Sequence, residues 1–122
     1  QYYDFFKTVF DETKIPVKQI LRMKINVTFP LIGYMQHNHQ MCHQDINNPE
    51  QRPDLKFKSL IVYINKSDGD TMFFENNKIK ERINYERGKA ILFDSNLLHA
   101  GQNPMKHNAR IVLNTIFTQE NN

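Results

Sequence analysis

The stretch "MCHQDINNP", residues 41–49, sets His43 two residues ahead of Asp45 and then runs into the turn-forming Asn47, Asn48 and Pro49. In an extended strand the side chains at i and i+2 share a face, so an imidazole and a carboxylate project together where strand gives way to loop. Both are ligands for a divalent transition ion. A His-x-Asp triplet arises readily by chance, so the rest of the chain has to supply a third ligand. The best candidate is His99 in "SNLLHAGQNP", which follows an apolar segment ending at Asp94 and precedes Gly101, Gln102, Asn103 and Pro104. Two histidines and one carboxylate leave three adjacent positions open on the ion. That is the facial triad of non-haem Fe(II) oxygenases, where a co-substrate and O2 must both reach the iron.

Eleven residues after His99, Arg110 opens "RIVLNTIF". Read as a strand, this segment turns Arg110, Val112 and Asn114 to one face and Ile111, Leu113 and Thr115 to the other. If the first face points inward, a guanidinium is buried, and a buried cation needs a partner. Few acidic residues are placed to supply one, whereas a ligand carboxylate fits the bidentate geometry that Arg favours.

The elements that must position these groups follow from periodicity and punctuation. "QYYDFFKTVFDETK" carries Tyr2, Tyr3, Phe6, Val9 and Phe10 near helical spacing and is stopped by Pro16, which predicts one N-terminal helix. After it the pattern is strand-like at 19–29, 56–65, 71–75, 89–94 and 109–117, each segment bounded by Asn, Gly, Pro or Asp. Short strands after a single helix, with no helical pattern between them, predict an antiparallel β-sandwich or barrel, in which strands distant in sequence meet at one open end.

The composition agrees. With 122 residues, 39% hydrophobic and 24% charged, the chain suits one globular domain with one core. It contains no repeat or linker composition, so residues 1–122 are read as a single unit. No apolar run approaches the roughly 18 residues of a membrane span, and the N-terminus lacks a signal-peptide layout. The single Cys42 forms no internal disulfide. A soluble, cytoplasmic protein is the expectation. The net charge of +3 is spread along the chain, which reads as a solvated surface rather than a nucleic-acid footprint.

Four segments in order, "HQD" (43–45), "YINKSDGDTMFF" (63–74), "GKAILFDSNLLHAGQNP" (88–104) and "RIVLNTIF" (110–117), resemble the 2-oxoglutarate- and Fe(II)-dependent dioxygenases. Within that superfamily the chain is most similar to the compact prolyl-4-hydroxylase-like proteins, including those of phages and marine microbes. The resemblance covers residues 24–117 and is unspecific for substrate. It implies a mainly β fold, the double-stranded β-helix or jelly roll, behind an N-terminal helix, with one dioxygenase domain over residues 1–122. It also implies Fe(II) held by His43, Asp45 and His99, with 2-oxoglutarate and O2 as partners and ascorbate as an optional reductant. Hydroxylation of an unactivated C–H bond, with release of succinate and CO2, is the implied reaction. Peptidyl proline or a small metabolite would be the substrate, with no membrane and no nucleic acid as partner. Arg110 would take the distal carboxylate of 2-oxoglutarate and Tyr63 would add a hydrogen bond to it. Asn114 would line the pocket near the iron, with Tyr34 or Phe29 on the ligand side and loops 30–42 and 46–56 at the mouth.

Three other readings compete. His37 and His39 form an H-x-H pair resembling a cupin metal motif, which would bind metal with His99, although no glutamate stands four or five residues later to complete it. The nucleic-acid demethylase branch carries a second Arg six residues after the first, and here that position is Ile116. An inactive β-barrel binding module would show a damaged triad, and no ligand is missing.

Overall fold

The computed structural model describes residues 2–31 and 41–120, and for residues 2–7 the backbone alone. His37, His39 and Tyr34 therefore lie outside the described residues.

The N-terminal apolar periodicity becomes helix α1 (Tyr2–Thr13). Its last turn is tightened by a Thr13 Oγ1 hydrogen bond to the Val9 carbonyl at 2.7 Å, and Lys14 leaves the helix at φ 57°. Seven strands follow: β1 (Gln19–Thr28), β2 (Leu55–Tyr63), β3 (Thr71–Glu75), β4 (Lys78–Ile83), β5 (Ala90–Asp94), β6 (His99–Gly101) and β7 (Arg110–Glu120). They form two antiparallel sheets among the described residues, a four-stranded one in the order β1-β7-β2-β5 and a three-stranded one in the order β4-β3-β6.

The four-stranded sheet is buried on both faces, and the alternation along its strands separates two cores. On one face Leu60, Val62, Leu113 and Phe117 pack with Phe10 of α1, the Phe10 and Phe117 rings meeting edge to face at 5.0 Å. On the other, Ile61, Tyr63, Phe93 and Val112 meet Phe73 of the smaller sheet. The second core lies between the two sheets, which is the jelly-roll arrangement expected from the sequence.

Two strands escaped the sequence reading. β4, "KIKERI", has five exposed positions out of six. Its charged side chains suit an unpaired sheet edge, where Lys and Glu discourage pairing with another chain, but they hide the period-2 signal. What makes it a strand is the turn before it, where Asn76 and Asn77 sit at φ 51° and 62°, the left-handed pair that a two-residue hairpin requires. β6 is only three residues long and is defined by its partners, Phe73 opposite His99 and Thr71 opposite Gly101.

The ring of Phe117 is fully buried between the sheet and α1. Replacing Phe117 with Ala is expected to lower the unfolding free energy by about 3–5 kcal/mol. Urea denaturation checks this, as a drop in midpoint with the slope retained.

Candidate metal centre

The two histidines are brought together by the backbone. His43 N–H donates to the His99 carbonyl and His99 N–H to the His43 carbonyl, both at 3.0 Å, so a single bridge locks the "HQD" segment to the edge of β6. The rings lie 4.4 Å apart between centroids. Each Nδ1 faces the carbonyl two residues earlier, His43 to Met41 at 3.0 Å and His99 to Leu97 at 2.8 Å. A carbonyl can only accept, so each Nδ1 carries the proton and each Nε2 keeps its lone pair free for a ligand.

Both free nitrogens face the same oxygen. His43 Nε2 is 3.4 Å and His99 Nε2 3.6 Å from Asp45 Oδ1. One ligand atom from each residue falls within 4.8 Å of the other two. The carboxylate is fixed from behind: Ser59 Oγ donates to Asp45 Oδ2 at 2.6 Å, Ser95 Oγ shares a hydrogen bond with Ser59 Oγ at 2.9 Å, and Asp45 N–H donates to the Ser95 carbonyl at 2.9 Å. Oδ1 is left buried with no hydrogen-bond partner. A buried carboxylate oxygen without a donor is costly, and a cation between it and the two imidazoles removes that cost. The donor set of two nitrogens and one oxygen fits Fe(II).

Electrostatics point the same way. Burial pushes the Asp45 carboxyl up, but the nearby His43 imidazole, the Ser59 hydrogen bond and the nearby His99 outweigh it, so the group stays below its ordinary value. The adjacent Asp45 carboxylate raises His43, whereas burial lowers His99. His99 is almost fully buried and His43 half-exposed, so the cluster is closed behind and open on one side.

That open side meets a cavity of about 520 Å³ whose lining includes His43, His99, Arg110, Val112 and Asn114. Arg110, expected to point inward, is 4% exposed. Its Nε donates to the Gly69 carbonyl and its Nη2 to Thr71 Oγ1, both at 2.9 Å. Its guanidinium carbon lies 5.6 Å from the ring centre of Tyr63 and 5.5 Å from that of Tyr85. No ion pair among the described residues involves it, so part of its five-donor fork remains for a ligand. Two glycines make the room. A Cβ on Gly101 would lie 2.7 Å from Arg110 Nη1, and one on Gly69, at φ +101°, would strike the Gln102 carbonyl at 2.5 Å.

Other expected residues fall differently. Tyr63 is inward but stands behind the cavity wall, its hydroxyl 2.6 Å from Thr71 Oγ1. Thr71, which lines the cavity, stands between the Tyr63 hydroxyl and Arg110. Asn114 lines the cavity, with an amide oxygen buried and unpartnered. Phe29 is 63% exposed and lies outside the lining. The mouth differs as well: segment 46–56 does not border the cavity, and one wall is β1, whose Arg22, Lys24, Asn26 and Thr28 were not singled out in the sequence. Their alternation along "RMKINVT" was the available signal. Ser59 and Ser95 were missed because nothing in a serine's sequence context announces what it holds.

A family model described as the 2OG-Fe(II) oxygenase superfamily matches residues 29–118, which include His43, Asp45, His99 and Arg110. No curated protein matches the chain.

Ser59 supplies the only side-chain hydrogen bond to Asp45 Oδ2 among the described residues. Ser59→Ala is expected to weaken Mn(II) binding roughly 10- to 100-fold, the usual effect of removing a group that orients a metal ligand. Titration followed by electron paramagnetic resonance checks this, with circular dichroism showing the fold retained.

Proposed function

The chain belongs to the 2OG-Fe(II) oxygenase superfamily, and on that premise we propose that His43, Asp45 and His99 are its iron ligands and that Arg110 anchors 2-oxoglutarate. Membership makes it a 2-oxoglutarate-dependent dioxygenase using Fe(II), 2-oxoglutarate and O2. The observation that carries the ligand assignment is Asp45 Oδ1, buried, unpartnered and faced by two imidazole nitrogens.

With Fe(II) bound, the centre supplies the redox chemistry that converts 2-oxoglutarate to succinate and CO2, one oxygen atom of O2 entering succinate and the other a substrate C–H bond. The protein's part is positional and electrostatic. Ser59 and Ser95 hold the Asp45 carboxylate so that Oδ1 faces the imidazoles. The Met41 and Leu97 carbonyls fix the histidine tautomers. Arg110 offers its free N–H groups to the distal carboxylate of 2-oxoglutarate, and burial strengthens that charge pair. Tyr63 acts through Thr71, fixing the hydroxyl that in turn holds Arg110. Asn114 contributes to the cavity wall between Arg110 and the triad. The substrate hydroxylated is a peptidyl residue or a small metabolite.

The assignment predicts a clean separation of two kinds of variant. Asp45→Ala should abolish Mn(II) binding and turnover. Arg110→Leu should keep the metal and lose about 2–5 kcal/mol in 2-oxoglutarate binding, the cost of breaking a buried charge pair. Calorimetric titration of 2-oxoglutarate into Mn(II)-loaded protein reads both, and wild-type affinity in Arg110→Leu would sink the anchoring role.

Gly101→Ala should also weaken 2-oxoglutarate binding, because its methyl would displace Nη1 of a guanidinium already tied to Gly69 and Thr71. The same titration measures it, with metal affinity unchanged.

A further inference from the structure

We propose that the substrate oxidised in this cavity carries an anionic group, a carboxylate or a phosphate, held by Arg22 and Lys24 of β1. The inference rests on the assignment of the triad and Arg110 made above and extends it to the class of substrate.

The first observation is the charge of the lining. Among the described residues that border the cavity, three are cationic, Arg22, Lys24 and Arg110, and none carries a carboxylate. Asp45 stands just behind the wall. Fe(II) against Asp45 leaves one positive charge, and the two carboxylates of 2-oxoglutarate match that charge and Arg110. Arg22 and Lys24 remain unmatched.

The second is their lack of partners. Among the described residues neither side chain makes a hydrogen bond. The one ion-pair contact is Arg22 Nη2 to Asp45 Oδ1 at 4.0 Å, the outer limit for such a pair, with the Arg22 side chain 51% exposed. Asp45 Oδ1 is also the oxygen that faces both imidazoles, so a bound metal takes it and leaves Arg22 free.

The third is position. β1 pairs with β7 so that Thr28 lies opposite Arg110, Asn26 opposite Val112 and Lys24 opposite Asn114. Arg110 is thus at one end of this wall and Arg22 at the other. At roughly 3.3 Å per residue, Lys24 stands about 13 Å and Arg22 about 20 Å along the strand from the Arg110 end. A 2-oxoglutarate held at Arg110 and at a metal beside Asp45 has both of its carboxylates engaged, so neither is left over for Arg22 and Lys24. An Arg–Lys pair at the mouth suits a carboxylate or a phosphate, the Arg by its planar fork and the Lys as a mobile charge.

The test uses full-length protein loaded with Zn(II) and saturated with 2-oxoglutarate, titrated calorimetrically with benzoate, phenyl phosphate and uncharged benzamide. At least one anion is expected to bind about tenfold or more tighter than benzamide, the scale of one hydrogen bond to a charged group. Which anion binds better identifies the group as carboxylate or phosphate. Arg22→Gln and Lys24→Gln should each reduce the preference several-fold, and Arg22→Lys should restore part of it. The affinity for 2-oxoglutarate itself should stay within about twofold of wild type in these variants. Equal binding of the three probes, or a preference that survives the Arg22→Gln, Lys24→Gln double variant, overturns the proposal. So does a fall in 2-oxoglutarate affinity, which would make Arg22 a second co-substrate anchor. Failure of wild type to take up Zn(II) or 2-oxoglutarate shows before any probe is added and removes the premise instead.

Discussion

A carboxylate oxygen buried without a donor is the constraint around which this small fold is arranged. Asp45 Oδ1 faces two imidazole nitrogens, and its partner oxygen is held by Ser59. Four separate stretches of chain must agree for that to happen: the "HQD" segment, β2 for Ser59, the turn after β5 for Ser95, and β6 for His99. The reciprocal bonds between His43 and His99 and those from Asp45 and Ile46 to the Ser95 carbonyl tie them together. Metal affinity in such a site is a property of the sandwich as much as of its ligands.

A second buried charge is handled by a different device. Arg110 has no counter-ion among the described residues, and burial pulls its guanidinium below its ordinary value while Tyr63 and Tyr85 oppose the shift. The two tyrosines stack on each other at 4.2 Å and present their rings to it. A carbonyl, a hydroxyl and two aromatic faces thus keep the cation in place without neutralising it. A guanidinium held in this way stays open to an anion, which an internal carboxylate would prevent.

The sequence disclosed what repeats or alternates. The clustering of His43, Asp45 and His99, the inward face of Arg110, Val112 and Asn114, the helix and five of the strands were legible because ligand types, turn residues and period-2 burial leave marks in the letters. β4 was not, because five of its six positions face solvent, and β6 was not, because three residues carry no period. Tyr63 was rightly read as inward, yet sequence gives no depth, so its hydroxyl meets Thr71 rather than the cavity. Ser59 and Ser95 matter through two hydrogen bonds that exist only after β2 and β5 pair. The His-x-His reading on His37 and His39 falls outside the described residues, and the family match sets the chain among the 2OG-Fe(II) oxygenases.

β1 differs from the other walls of the cavity in its obligations. Its neighbour β7 carries Arg110 and packs on both faces, so a change there disturbs core and chemistry together. Arg22, Lys24, Asn26 and Thr28 point into the cavity from a strand that pairs only with β7 among the described residues. None of the four belongs to either core cluster. Substitutions along that wall therefore leave both core clusters in place. What lines the cavity on this side and what holds the fold together are thus separate sets of side chains.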